Sequence, residues 1–416
     1  DRNAGRALID DNRADAVILT GAYETARMFQ RWRPSLKLFA ETSGKNALVI
    51  SALADTELAA KDLIKSAFGH SGQKCSAASL GILEAEVYDD PIFRRQLRDA
   101  AASLRVGPSS DPASIVTPVI LEPDEKLRRA LTQLDEDEQW LLEPEVSEED
   151  PLLWSPGIKL GVKRGSWFHM NECFGPVLGL MRAVDLDEAV AMQNEVDYGL
   201  TAGIHSLDEM EITQWKSKVQ AGNLYINRGI TGAIVQRQPF GGWKKSSIGP
   251  GAKAGGPNYV NLFRTCTDLE PAPVEQARED YQRAWDAHFN IGHDPTALRC
   301  ESNIFRYRPS HGVILRLVER DERSENLARL AGETTGTPLT ISHASEESDE
   351  DFAARLPRLA ESNEFIRTVN GPPADVVLEA SHEAGLNWID APMSVSGRLE
   401  LTRWTREQSV TETMHR

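Results

Sequence analysis

An apolar strand, AVILT at 16–20, turns at Gly21 into a helix through Phe29, and KNALVI at 45–50 follows as the next strand. Strand, turn, helix, strand points to a parallel α/β sheet, because parallel strands need a crossover connection and a helix supplies it. The next crossover carries its own signal. From Asp55 on, Ala60, Leu63, Ile64 and Ala67 fall at i, i+3, i+4 and i+7, which predicts a helix with one buried face. It runs into FGHSGQKCSA at 68–77, so Cys75 is expected just past a helix end. The α/β pattern continues to about residue 230, interrupted by acidic stretches at DEDEQ (135–139) and EVSEEDP (145–151) that read as a solvated loop. Glycine and proline then dominate QPFGGWKKSSIGPGAKAGGPNY (238–259), expected as a long, positioned loop. EPAPVEQAREDYQRAWDAHF reads as a linker and an amphipathic helix. Residues 312–390 alternate candidate strands (VILRLV, PLTIS, DVVLEA, LNWID) with polar helices, a second, smaller α/β unit.

The overall charge narrows the partners. At −17 the chain repels a phosphate backbone, and no basic cluster with interleaved aromatics offsets it, so the expected partner is a small molecule and not nucleic acid. Four widely spaced cysteines (Cys75, Cys173, Cys266, Cys300) form no CxxC pair, which argues against a disulfide framework and against a metal site. No apolar run reaches the length of a membrane span, and DRNAGRALIDDNRAD at the start lacks the basic and apolar regions of a signal peptide. These features fit a reducing cytoplasm.

Three short elements carry chemistry. In FGHSGQKCSA the residues Phe68, Gly72, Gln73, Cys75 and Ala77 stand in the spacing FxxxGQxCxA. A nucleophilic thiolate needs a tight turn with small neighbours, so that backbone amides can reach the oxyanion formed on attack at a carbonyl. Glu41, in AETSGKN, lies 34 residues before the cysteine, and a carboxylate can deprotonate the thiol or a hydrolytic water. NECFGPV at 171–177 places Glu172 and Phe174 in an ExFGP element 97 residues beyond Cys75. Each alone is commonplace: Glu41 is one of 63 acidic residues, and a glycine-flanked cysteine is usually structural. Their shared order and spacing, together with NEVDYGLTAGIHS at 194–206, is not commonplace, although that last segment reads as packing.

In this order the motifs resemble those of aldehyde dehydrogenases over roughly residues 15–265. The resemblance implies Cys75 as nucleophile, Glu41 as base, NAD as cofactor, Glu172 on the nicotinamide ribose and Phe174 near the nicotinamide. LTGAYETA at 19–26 resembles the turn that receives the pyrophosphate at a helix N-terminus, with Gly21 allowing close approach. Ala22 stands where the family usually has Ser, and Ala26 where it has Gly, so only a backbone contact from Gly21 and Ala22 is implied. The stretch 223–259, with its TGA, QPFGG and KAGGPNY, resembles glutamate semialdehyde dehydrogenases of the PutA family. There the loop offers amides to the substrate α-carboxylate, here at Gly232 and Ala233, with Ser76 adding a hydroxyl and Phe240 packing on the aliphatic part.

HDPTALRCESNIFRYRP (293–309) and LNWIDAPMSVSGRLEL (386–401) resemble the noncatalytic, dehydrogenase-like domain that follows the dehydrogenase in long PutA chains. The expected fold is therefore an α/β aldehyde dehydrogenase fold lacking most of the N-terminal Rossmann half. It divides into a remnant of the NAD-binding domain (1–40), a catalytic domain (41–265), a linker and helix (266–295) and a smaller α/β domain (296–416). The resemblance also implies an upstream Asn as second oxyanion donor and an upstream Lys on the adenosine ribose, neither within these 416 residues. Residues 1–416 alone are thus expected to have little activity and to need an N-terminal half or a proline dehydrogenase portion; a homo-oligomer is also expected. No flavin is assigned. Two other readings stay open: a noncatalytic module acting in assembly, and a dehydrogenase for another semialdehyde.

Overall fold

The computed structural model describes residues 2–264, 266 and 273–414. A helix, Arg2–Asp10, precedes β1 (Ala16–Thr20); a second, Tyr23–Trp32, leads to β2 (Lys37–Glu41), which pairs in parallel with β1. Sequence reading missed β2. The apolar strand β1 is not buried: it is the edge of a small three-stranded sheet, and Ile18 on it is 62% exposed.

β3 (Asn46–Ile50) and β4 (Ala78–Glu84) flank the helix Thr56–Phe68, whose N-terminus is capped by Asp55 accepting from the Leu58 amide (3.0 Å). β5 (Gln139–Leu142) and β6 (Gly157–Leu160) form an antiparallel pair. The first acidic stretch is therefore not wholly a solvated loop: Glu138 is buried against Lys159 at 3.0 Å, while 145–151 is mostly exposed as expected. β7 (Val177–Ala183), β8 (Tyr198–Gly199), β9 (Thr201–His205) and β10 (Asn223–Ile226) follow. The Gly/Pro segment is a loop carrying two-residue strands, β11 (Trp243–Lys244) and β12 (Ser247–Ile248).

Past the helix Val274–Ala284 come β13 (Glu301–Pro309), β14 (Val313–Leu317), β15 (Leu339–His343), β16 (Phe365–Val369), β17 (Asn387–Ile389) and β18 (Thr405–Thr413). DVVLEA is not a strand: Asp375–Glu383 is a helix that buries Val377, Leu378, Ser381 and His382 on one face. The strand sits earlier, at β16, in a four-stranded parallel sheet ordered β15-β14-β16-β17. FIRTV hides its nature behind Arg367, a fully buried side chain paired with buried Glu400 and bonded to the Ala391 and Pro392 carbonyls. A charge is tolerated there because every donor finds an acceptor.

A nine-stranded sheet, β13-β18-β10-β9-β3-β4-β7-β6-β5, forms the main layer. It is parallel from β18 to β6 and antiparallel at both edges. Both faces are covered. Along β3, Ala47 and Val49 point into one apolar core, Leu48 and Ile50 into the other, where Leu63 and Ile64 of the helix Thr56–Phe68 pack. The smaller sheet has its own core, yet the chain beyond 296 is not set apart from the main layer, since β13 and β18 complete the large sheet beside β10.

Candidate active site

The Cys75 turn is built from the end of a helix. After Phe68 the backbone passes through left-handed conformations at His70, Ser71 and Gly72 (φ 56°, 56° and 67°), which reverses the chain and delivers Cys75. Ser71 secures the reversal, its hydroxyl accepting from the Thr117 amide at 2.8 Å. Gly72 has a second reason to be glycine. A Cβ there would lie 2.2 Å from the Gly175 carbonyl oxygen, so the GQxC and FGP elements are in backbone contact. Gln73 ties them further, donating to the Phe174 carbonyl (3.2 Å) and accepting from the Ile120 amide (3.0 Å). We expect Gly72→Ala to destabilise the fold by more than about 1 kcal/mol, since it adds positive-φ strain to a clash with rigid backbone. Urea unfolding checks it, and unchanged stability would show that the two loops are free to part.

Asn46 pins the other side of the turn. Its amide donates to the carbonyls of Cys75 (2.7 Å) and Ala77 (3.0 Å), while its oxygen accepts from the Thr201 amide (3.0 Å). Cys75 is thereby held half-buried at the turn. Burial pushes the thiol above its ordinary range, and the nearby carboxylates of Glu172 and Glu41 add to that; the backbone amides of Ser76 and Cys75 oppose it. The resting sulfur therefore needs a proton acceptor.

Glu41 ends β2, where Gly242 donates to its Oε2 at 2.9 Å. Burial raises its carboxyl well above the usual range, against the pull of Lys253, the Gly242 amide and the Ser247 hydroxyl. A base whose pKa is lifted towards neutrality can both take and give up a proton. Glu172 is held at the same place, its Oε1 accepting from the Gly44 amide at 2.8 Å; burial raises it too. Gly44 touches the Cys75 turn, as a Cβ would stand 2.6 Å from the Cys75 carbonyl oxygen.

The remaining residues singled out in the sequence lie around this centre. Gly21 is exposed, and its amide donates to the Glu41 carbonyl at 3.2 Å. That N–H is engaged, and Gly21 offers an open surface, since a Cβ would meet only Leu19. Ala22 caps the helix Tyr23–Trp32 without a side-chain bond. Phe174 is 39% exposed with φ 52°. Ser76 is buried next to the nucleophile, and Gly232 (φ 84°) and Ala233 stand on an exposed loop. That loop is tied to the centre by Tyr225, whose hydroxyl donates to the Gly232 carbonyl at 3.1 Å and whose phenol, pushed up mainly by burial, also feels Cys75. Phe240 is half-buried, exchanging two backbone hydrogen bonds with Ala254 (3.0 and 3.1 Å).

Sequence reasoning missed the residues that hold the loop. The Ile230 amide donates to Ser66 and the Ile234 amide to Gln238 (2.8 Å), which in turn donates to Asn303 of β13 (2.8 Å). Only Gly44 and the Gly241-Gly242 pair left a local signal, as glycines inside otherwise polar motifs. Among the described residues no group of three or more His, Cys, Asp or Glu is placed to hold a metal ion.

Comparison with known proteins agrees with this geometry. Residues 1–267 match the family described as Aldehyde dehydrogenase family. A 1-pyrroline-5-carboxylate dehydrogenase of Bacillus cytotoxicus is 35% identical over 277 residues, covering 62% of this chain and 51% of that protein. One from Geobacillus is 34% identical over 267 residues. The chain spans about half the length of the curated relatives it matches. The structure of proline utilization A (PutA) from Corynebacterium freiburgense is similar over 99% of this chain and 43% of that one, with 45% identity and a TM-score of 0.89. A Thermus 1-pyrroline-5-carboxylate dehydrogenase with bound NAD gives 32% identity, a TM-score of 0.57, and coverage of 62% of this chain and 51% of that one.

Proposed function

Because the chain belongs to the aldehyde dehydrogenase family, we infer that it supplies the nucleophile, base and substrate anchor for NAD-dependent oxidation of L-glutamate γ-semialdehyde to L-glutamate, the second step of proline catabolism. The observation that carries this reading is the convergence of three elements: the Cys75 turn held by Asn46, Gly44 packed on that turn while its amide holds Glu172, and Glu41 at the end of β2 held by Gly242. The relatives named as 1-pyrroline-5-carboxylate dehydrogenases support the substrate, whose open-chain form is the semialdehyde. A cytoplasmic setting belongs to the same reading, supported by four free cysteines.

Cys75 thiolate adds to the aldehyde carbon, and the oxygen that becomes negative is stabilised by backbone N–H donors at the turn together with the donor expected from the upstream segment. NAD, when bound, would supply the hydride acceptor by which the thiohemiacetal carbon is oxidised to the thioester level. The residues around its expected place fit such a group: an open glycine surface at Gly21, a helix start at Ala22 without a side-chain cap, a buried carboxylate at Glu172 and a part-exposed ring at Phe174. Glu41 then takes a proton from water, hydroxide adds to the thioester, and glutamate leaves as Cys75 is regenerated. Gly232 and Ala233 present the exposed amides, Ser76 the hydroxyl and Phe240 the apolar wall for the α-carboxylate end.

If that anchor reads the carboxylate, kcat/KM for glutamate semialdehyde exceeds that for an uncharged aldehyde of equal length by on the order of 10²-fold or more, because polar groups built for a charge are left unpaired without it. Steady-state kinetics on the two substrates checks it. Equal values would remove the anchor and leave an aldehyde dehydrogenase of other specificity.

A further inference from the structure

The Gly/Pro loop holds more than the substrate end of the site. Between Glu41 and the rest of that loop stands Gly241, thin enough that a Cβ on it would lie 2.8 Å from Glu41 Oε1 and 3.2 Å from Lys253 Cγ. Lys253 is fully buried; its Nζ donates to Asn223 Oδ1 at 2.9 Å and to the Gly241 carbonyl. On its other side is Glu407 of β18, whose Oε2 accepts from the Lys253 amide (2.7 Å), whose Oε1 accepts from Asn258 (2.7 Å), and whose carbonyl accepts from the Trp243 indole (2.9 Å). A strand near the C-terminus thus reaches the loop behind the base, carried there by pairing with β10, where Ser409 stands opposite Asn223.

We propose that Lys253 is a positioning residue that tunes Glu41, and that Glu407 keeps Lys253 charged, so that the C-terminal segment helps set the pH at which the acyl-enzyme is hydrolysed. The inference rests on the assignment of Cys75 and Glu41 above. Burying opposite charges is poor value for stability, since apolar residues of the same volume do as well, whereas a fixed cation near a buried carboxylate changes its proton affinity directly. Burial alone drives the Glu41 carboxyl up and the Lys253 ammonium down; Lys253 draws Glu41 back down, and Glu41 and Glu407 draw Lys253 back up. The other groups facing Glu41 are the Ser247 hydroxyl and the Gly242 amide, while Cys75 and Tyr259 feel its charge. Glu407 additionally faces Arg398 and, through Asn258, the Tyr307 hydroxyl, itself within 2.9 Å of His288.

The test uses the full-length protein and 4-nitrophenyl acetate, which needs no cofactor. Cys75 displaces 4-nitrophenolate to form an acetyl thioester, giving a burst; water deprotonated by Glu41 then releases acetate, giving the steady state. Because Glu41 works deprotonated, the steady-state rate rises with pH through its pKa. Loss of the Lys253 cation raises that pKa, so Lys253→Met should move the limb about one pH unit or more to the alkaline side, or about tenfold in rate at neutral pH, with the burst retained. Glu407→Gln should move it the same way by less. The double variant, which removes both buried charges and serves if Lys253→Met alone does not fold, should move it no further than Lys253→Met. An unmoved limb in the folded single or double variant, even with a uniformly lower rate, overturns the proposal. Ester hydrolysis that survives unchanged in Cys75→Ala overturns the Cys75 assignment itself.

Discussion

Cys75→Ala should abolish aldehyde oxidation and ester hydrolysis, by a factor on the order of 10⁴–10⁶, while changing unfolding stability by about 1 kcal/mol or less. The catalytic loss is large because no neighbour can take over. The hydroxyl of Ser76 sits on the next residue and is buried, and oxyanion donors act only once a nucleophile has made the oxyanion. The stability change is small because the turn is held by its backbone. Asn46 bonds the carbonyls of Cys75 and Ala77, and Gly72 rests on Gly175; none of these contacts uses the sulfur. NADH production and urea unfolding on the same preparations decide it. A variant that keeps a substantial share of turnover would end the nucleophile assignment, and one that unfolds would show the thiol to be structural.

The second large effect is kinetic in form. Glu41→Gln should leave one rapid equivalent of NADH and then stall, with steady-state release of glutamate lowered by about 10²–10⁴-fold. Gln fills the same space and can still accept the Gly242 amide, so the loop should stay in place. It cannot take a proton from water, and the thioester therefore accumulates. The wild-type steady state rises with pH as Glu41 deprotonates, at a pH above that of an ordinary carboxyl because burial has raised it. In Glu41→Gln that limb disappears. Removing the negative charge also takes away one of the influences holding the Cys75 thiol protonated, so the burst should not slow through electrostatics. Rapid mixing, with mass spectrometry of the trapped acyl-enzyme, distinguishes this from a plain loss of activity. Unchanged steady-state turnover would exclude Glu41 as the hydrolytic base.

Two properties of the chain separate what sequence determines from what folding decides. Periodicity and breakers are local: the helix after Asp55, the turn that carries Cys75 and the loop over 238–259 follow from spacing alone, since each depends on residues a few positions apart. Motif order also carried Cys75, Glu41 and Glu172, because a nucleophile, a base and a glycine turn impose residue types that cannot be exchanged. The failures lie where a side chain's partner is remote. β16 was hidden because Arg367 is acceptable in a buried strand only when Glu400 is already beside it, and the valines of Asp375–Glu383 favour a strand until one helix face is offered a core. The same holds at the site. Nothing near Glu41 in the chain announces Lys253, 212 residues on, or Glu407 beyond it, because a buried charge network is assembled only when β18 pairs with β10 and brings its carboxylate to the loop. Short-range chemistry is written in the sequence; the proton affinities that run it depend on burial and on charges that only the tertiary structure brings within a few ångströms.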